Sequence, residues 1–352
     1  MEFLMRFFSP TSHGQQAART DRSASSVQRP ATGDEPLVSV IIPNWNGAHH
    51  LTHCLASLRR QIFREFEVIV ADNGSTDGSL ELLAREYPEV RVLALGENLG
   101  FAGACNAGMR VARGTFVVLL NNDAEADSRW LSEVVAAFQR HPEAGLVASK
   151  MLLFDRRDTL HTAGDFYRVD GIPGNRGVWQ KDEGQYDREE TVFSACGGSA
   201  AYRKAMLEQV GLLDEGFFFS CEDVDLAWRA QLAGWQCIYV PRAVVYHKLS
   251  ATGGGVTASF YDGRNFFYLL VKDYPGDLWR VHWRAILRAQ VRLAWEALRA
   301  WRGAAARARL RGMLAGLLGV PKMLHKRRIV QRSRTVDRSY LESILTGVDE
   351  SQ

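Results

Sequence analysis

Leu37-Val38-Ser39-Val40-Ile41-Ile42 runs into Pro43-Asn44-Trp45-Asn46, and further along Phe66-Glu67-Val68-Ile69-Val70-Ala71 runs into Asp72-Asn73-Gly74. Both are β-branched, apolar runs of strand length stopped by turn-forming residues. Between them, residues 48–60 carry a helical pattern. A helix near 78–86, a strand over 90–94, a helix near 102–112 and a strand over 116–120 follow, the last ending in Asn121-Asn122-Asp123. Strands alternating with helices of about ten residues predict a parallel, doubly wound α/β sheet. In such sheets ligands collect outside the carboxyl ends of the strands. Pro43-Asn44, Asp72-Asn73 and Asn122-Asp123 all fall there. Any one of them is explained as a strand terminator. Three in succession along one edge favour a nucleotide pocket.

Outward from this core the chain changes character. Residues 9–36 are rich in Ser, Thr, Gln, Arg and Gly without apolar period, and 1–36 is expected to be a disordered leader. Its first eight residues are too short and interrupted for a signal peptide. On the other side the period weakens after about Ala148, and 171–184 has the composition of a long surface loop. Order returns at Phe193-Ser194-Ala195-Cys196-Gly197-Gly198-Ser199, followed by a helix from Arg203. Phe217-Phe218-Phe219 then leads to Cys221-Glu222-Asp223-Val224-Asp225, which opens a helix to about Ala233. A strand over 237–240, a loop over 247–255 and a helix near 259–273 complete the domain, with Pro275-Gly276 as its boundary.

The chain has 352 residues, 46% hydrophobic and 24% charged, which excludes fibrous and wholly disordered classes. No apolar run approaches the ~18 residues of a spanning helix, so a multi-span membrane synthase is excluded. Five cysteines without C-x-x-C spacing fit reduced thiols in a cytosolic protein.

Three places carry candidate chemistry. Asp123, just past a buried strand, suits a hard divalent cation clamped to a diphosphate, although a turn aspartate is the plainer reading. Glu222-Asp223 opens a helix, where the dipole alone favours acids. The aromatic triplet upstream makes it a setting in which a carboxyl can be tuned as a general base. Asp225 and Arg229, four apart, are expected to form a structural pair. His247 is followed by Gly253-Gly254-Gly255, a stretch able to close over substrate. Gly197-Gly198 fits either close backbone approach to a ligand or a plain turn.

Taken in order, these segments resemble the family-2 glycosyltransferases, which have the GT-A fold. The likeness runs through 38–46, 68–79, Asn98-Leu99-Gly100-Phe101-Ala102-Gly103 with Asn106, 119–123, Gly197-Gly198, 211–219, Glu222-Asp223-Val224-Asp225-Leu226 and Tyr246-His247. It spans roughly 36–275 and is nearest the bacterial rhamnosyltransferase-like branch, which builds cell-surface polysaccharides. The resemblance implies a Rossmann-like, mostly parallel sheet flanked by helices over 37–275. Pro43, Asn44, Trp45, Asp72, Asn73 and Asn98 would hold the nucleotide, with Asn122 at the ribose. Asp123 matches the metal-binding carboxylate of the family's D-x-D, here in the form Asn-Asn-Asp, and His247 a histidine that completes the metal site in some members. Asp223 matches the catalytic base and Glu222 its partner. Gly197, Gly198 and Arg264 would face the acceptor or its diphosphate. Implied cofactors are Mg2+ or Mn2+; implied partners are a dTDP- or UDP-linked sugar and a saccharide or polyprenyl-diphosphate-linked acceptor. A catalytically inactive sugar-nucleotide-binding or scaffold protein is the alternative of a different class.

The segment 276–352 is of another kind. Between Leu278 and Arg334 lie fifteen Lys and Arg against a single acid, Glu296, in a chain of net charge only +3. Arg280, Arg284, Arg288 and Arg292 form one helical stripe among Trp279, Trp283, Trp295 and Trp301. A basic, Trp-rich amphipathic helix is expected to meet an anionic membrane surface, with packing on the catalytic domain as the competing reading. Nothing resembles a nucleic-acid module. The expectation is a protein peripheral to the inner face of the plasma membrane.

Overall fold

The structure, a computed structural model, describes residues 35–248 and 255–348. The leader, save Glu35 and Pro36, and the Gly253-Gly254 part of the expected closing loop lie outside them.

The chain alternates through β1 (Val38–Asn44), α1 (Ala48–Arg59), β2 (Phe66–Asp72), α2 (Ser79–Glu86), β3 (Arg91–Ala94), α3 (Gly100–Val111) and β4 (Phe116–Leu119). It continues with β5 (Ala124–Ala126), α4 (Trp130–Arg140), β6 (Ala144–Leu153), β7 (Arg156–Ala163), β8 (Asp165–Tyr167), β9 (Pro173–Asn175) and β10 (Glu190–Val192). Then come β11 (Ala200–Arg203), α5 (Lys204–Val210), α6 (Glu222–Leu232), β12 (Gln236–His247) and α7 (Val256–Lys272). Four helices close the chain: α8 (Gly276–Arg299), α9 (Ala304–Leu318), α10 (Val320–Arg332) and α11 (Arg338–Ile344).

The main sheet runs β10-β12-β6-β11-β4-β1-β2-β3. The half built from the first four strands of the chain, β3-β2-β1-β4, is parallel, as the alternation predicts. From there it becomes mixed: β11 lies antiparallel between β4 and β6, while β12 is parallel to β6. β1 shows how both faces are covered. Val38, Val40 and Ile42 point into one apolar core with Leu51, Trp130 and Phe138, and Ile41 points into the other with Leu119, Tyr202 and Trp228.

Two regions differ from expectation. β6, β7 and β8 occupy the stretch where the period weakens. All ten positions of β6 are buried, so it lacks alternation; it is a central strand covered on both faces. Part of the expected loop over 171–184 is β9, which pairs with β8 as a small hairpin.

The C-terminal helices pack on the domain. A Cβ on Gly312 of α9 would lie 2.0 Å from the Phe260 carbonyl oxygen of α7, so these helices cross nearly backbone to backbone. Arg327 of α10 donates to the carbonyls of Val271 and Tyr274.

Candidate functional site

The carboxyl ends of β1, β2 and β4 open on one cleft of about 600 Å³. Their side chains are fixed to one another before any ligand arrives. Asn44 Nδ2 donates to Asp72 Oδ2 (2.9 Å) and Asn122 Nδ2 donates to Asn44 Oδ1 (2.8 Å). Asn73 Nδ2 donates to Asn98 Oδ1 (3.0 Å) and to the Gly100 carbonyl, and Asn73 Oδ1 accepts from Leu99 N–H. Gly47 is required by this crowding, since a Cβ there would lie 2.1 Å from Asn122 Nδ2. Pro43, Asn44, Trp45, Asn73, Asn98 and Asn122 all line the cleft. Asp72 is fully buried one layer behind, where it orients Asn44 and accepts from Ser75 N–H.

Sheet register brings the next group together. β12 runs antiparallel to β5, with His247 opposite Ala124, so the histidine arrives beside Asp123. His247 Nε2 lies 3.1 Å from Asp123 Oδ1 and 3.1 Å from Asn121 Nδ2. Asp123 Oδ1, His247 Nδ1 and Asn121 Oδ1 are buried without hydrogen-bond partners among the described residues, although Asp123 and His247 are in contact. A carboxylate oxygen and an imidazole nitrogen with unused acceptor capacity fit a divalent cation. His161 stacks on His247 at 5.0 Å, and burial, then the neighbouring His247, pushes its pKa down to about 3.

β11 enters the sheet antiparallel, so the turn before it lies at the same edge. Asn121 N–H donates to the Gly198 carbonyl at 3.0 Å. Gly197 N–H donates to Asp223 Oδ2 at 2.7 Å, and Val224 N–H to Asp223 Oδ1 at 2.8 Å. Burial raises the Asp223 pKa while these two N–H groups oppose the rise. Glu222 is different: burial and the adjacent Asp223 push its pKa well up, and its Oε2 has no hydrogen-bond partner among the described residues.

The loop before α6 is strained. Phe218, Ser220 and Cys221 all have positive φ, at 62°, 67° and 68°. Asn265 Nδ2 donates to the carbonyls of Phe217, Phe219 and Ser220 and pins this loop. The aromatic triplet divides: Phe218 and Phe219 line the cleft, whereas Phe217 is core. Arg264 departs from expectation. Its guanidinium donates to the carbonyls of Gly216 and Phe217 and to Asn265, and it does not line the cleft. An arginine so engaged supports the loop and is not held out for an acceptor diphosphate.

The expected Asp225–Arg229 pair is present and buried, with Nε–Oδ2 at 3.0 Å. The five cysteines are free. Sequence reasoning did not single out Asn121, His161, Asp165, Asn175 or Asp262, all of which line the cleft. Asn121 was legible only as part of Asn-Asn-Asp; the others lie in stretches without a motif. Asp165, Cys196 and Asp223 form a second cluster, with ligand atoms within 4.8 Å of one another. Burial keeps the Cys196 thiol protonated, and burial with the Asp223 charge pushes Asp165 up to about 7. That set suits a hard cation less well than Asp123 with His247.

Residues 39–211 match the family model described as Glycosyl transferase family 2. Among curated proteins the chain is similar to the N-acetylglucosaminyl-diphospho-decaprenol L-rhamnosyltransferase of Mycobacterium tuberculosis. The two are 29% identical over 281 residues, covering 73% of this chain and 91% of the relative. Among solved structures it is similar to the mannosyltransferase PcManGT from Pyrobaculum calidifontis in complex with GDP-Man and Mn2+, with a TM-score of 0.52 and 18% identity. That alignment covers 92% of this chain and 87% of the other. It is also similar to S. aureus TarS 1-349 in complex with UDP-GlcNAc, with a TM-score of 0.52, 19% identity, and 87% and 92% of the two chains covered. At such identities the solved structures speak for the fold. The ordered strand ends and the family match together make residues 39–211 a glycosyl transferase family 2 domain, on the fold of the solved glycosyltransferases.

Proposed function

We propose that the protein is an inverting glycosyltransferase moving a sugar, rhamnose or a hexose, from a dTDP- or UDP-linked donor. The acceptor is a hydroxyl of a saccharide or polyprenyl-diphosphate-linked sugar in cell-surface polysaccharide synthesis. The observation that carries this reading is Asp223. Its carboxylate stands in the same cleft as the asparagine-lined strand ends, with both oxygens aligned by backbone N–H groups. The name of the mycobacterial relative supports a rhamnosyl donor and a lipid-diphosphate-linked acceptor. The solved neighbours, in complex with GDP-Man and Mn2+ and with UDP-GlcNAc, support a nucleotide-sugar pocket.

In this mechanism Asn44, Asn73, Asn98 and Asn122 seat the nucleotide, and Trp45, half exposed, offers a face to the base. Asp123 and His247 would hold Mg2+ or Mn2+, which when bound offsets the charge of the departing diphosphate. Asp223 accepts the proton of the acceptor hydroxyl as its oxygen forms the new bond to the anomeric carbon. The bond from that carbon to the diphosphate oxygen breaks on the opposite face, so configuration inverts in one displacement. Phe218 and Phe219 beside the base exclude water.

General-base catalysis is worth about 10²–10⁴-fold. Asp223→Asn is therefore expected to lose that much kcat with unchanged binding of the nucleoside diphosphate by calorimetry. Wild-type turnover in the variant would remove the base assignment. A thermal-shift series of nucleoside diphosphates with and without Mn2+ tests the donor pocket: one base should stabilise the protein, and more so with metal.

The exposed basic and aromatic side chains of α8 support a second element of this reading, in which the enzyme rests on an anionic inner leaflet to reach its acceptor.

A further inference from the structure

The β8–β9 hairpin brings one more carboxylate into the cleft. Asp165 is only 6% exposed, yet its side chain lines the cavity with Asp223. Thr162 Oγ1 (2.7 Å) and Asn175 Nδ2 (2.9 Å) both donate to its Oδ1. Oδ2 accepts from none of the described residues. Asp165 is a rigid presentation: its backbone pairs with Asn175 in the hairpin and exchanges two hydrogen bonds with Ser194.

The same packing that fixes Asp165 fixes the base. Two residues on, Tyr167 is fully buried and meets Trp228 of α6 at 5.0 Å, edge to face. Phe193 and Tyr274 complete this aromatic cluster. The hairpin bearing Asp165 and the helix that opens with Asp223 are thus anchored in one cluster, the kind of support a preorganised site needs.

Ligand atoms of Asp165 and Asp223 lie within 4.8 Å of each other. This is less than two O–H···O bonds of about 2.7 Å laid end to end. A hydroxyl held by Asp223 therefore stands within hydrogen-bonding reach of Asp165 as well, so a neighbouring hydroxyl of the same ring can take the Asp165 oxygen. Among the described residues the Asp165 side chain bonds to none of those assigned to the nucleotide, and it stands beside Asp223, where the acceptor hydroxyl arrives.

We propose that Asp165 is an acceptor-binding residue. Its uncommitted oxygen bonds the ring hydroxyl next to the attacking one and thereby seats the attacking hydroxyl on Asp223. This rests on the glycosyltransferase reading with Asp223 as base. The hairpin then contributes to acceptor specificity, because a ring with that neighbouring hydroxyl absent or inverted leaves a buried carboxyl unpaired.

The test uses full-length protein, dTDP-rhamnose, N-acetylglucosaminyl-diphospho-decaprenol and single-deoxy versions of that acceptor. Asp165→Ala is expected to raise the acceptor KM about ten- to a hundredfold, with calorimetric binding of dTDP unchanged. One deoxy acceptor should lose a similar factor in kcat/KM with wild-type enzyme and lose little more with the variant, the coupling expected of partners in contact. Asp165→Asn keeps the oxygen that Thr162 and Asn175 bond and turns the free one from acceptor to donor, so a smaller rise in acceptor KM with the same deoxy coupling is expected if the alanine variant folds poorly. An unchanged acceptor KM together with an unchanged deoxy pattern overturns the proposal. A fully active Asp223→Asn enzyme overturns it as well by removing the base, so the two failures are told apart by which variant keeps wild-type behaviour.

Discussion

Glu222 and Asp223 are adjacent in sequence and chemically unlike. Asp223 receives two backbone N–H bonds that favour its ionised form, while Glu222 Oε2 receives none from the described residues and burial, with its neighbour, pushes its pKa well up. With Asp223 as the proposed base, activity needs it ionised, and burial raises its pKa above the ordinary aspartate value. Turnover should therefore fall, as pH is lowered, earlier than an ordinary aspartate would dictate, seen as the acid limb of kcat/KM. Stability runs the other way. A carboxyl with a raised folded pKa contributes its stability fully below the unfolded pKa and loses it as pH rises toward the folded one. Each pH unit in that window costs about 1.4 kcal/mol. Glu222→Gln removes this penalty, so the variant is expected to match wild type near pH 4 and to be more stable than it near pH 8 by urea unfolding. Equal stability at both pH values would show that Glu222 ionises freely. The adjacent acids were legible from sequence as a helix start and as a motif; their different hydrogen bonding was not, because the Gly197 N–H that reaches Asp223 comes from the turn before β11, distant in sequence.

At the scale of elements, the loop over 217–221 shows what sequence carries and what it hides. Its aromatic residues and the following acids mark a wall and a helix start in the linear chain. Three non-glycine residues with positive φ, each costing on the order of 1–3 kcal/mol, leave no such mark. The residue that holds them, Asn265, stands on α7 and is fully buried. Asn265→Ala removes the donor shared by three carbonyls and is expected to cost about 1–3 kcal/mol of stability. It should lower kcat more than it weakens nucleoside diphosphate binding, because the loop leads into Asp223 and not into the asparagine cluster. Loss of diphosphate affinity with kcat intact would place the loop's role elsewhere. The same hiddenness explains Arg264: a cation near a cleft invites an anion, but here carbonyls of the strained loop engage it first. β6 escaped for another reason. Ala, Leu, Met and Lys are good helix formers, and only burial on both sheet faces makes them a strand, with Lys150 neutralised by Asp182 and Asp187.

The whole molecule couples its basic C-terminal layer to α6, the helix that opens with the proposed base. Lys326 of α10 pairs with Asp214, which also pairs with Lys272 of α7, and Lys272 reaches Asp225, two residues past the base. The layer is therefore both packed and poised at a surface, and α8 shows the division. Leu278, Ile286, Ala289 and Ala297 are buried, while Trp283, Leu287, Val291, Trp295 and Leu298 form an exposed apolar stripe along a helix about 36 Å long. Arg280, Arg284, Arg288 and Arg292 are exposed beside it. No helix among the described residues is long and apolar enough to cross a membrane. Such a helix fits lying in the headgroup plane, with aromatic rings inserted and guanidinium groups on anionic lipid. The protein is expected to sediment with phosphatidylglycerol vesicles, weakly with phosphatidylcholine, and less as salt rises. At about 1 kcal/mol per basic residue, replacing the four arginines by Gln should weaken vesicle binding roughly a hundred- to a thousandfold. Transfer to a soluble acceptor should be untouched, because none of the four arginines lines the cleft. Should the variant sediment like wild type, the charge asymmetry of the chain would serve packing and solubility, and the route to a lipid-linked acceptor would have to run through another face.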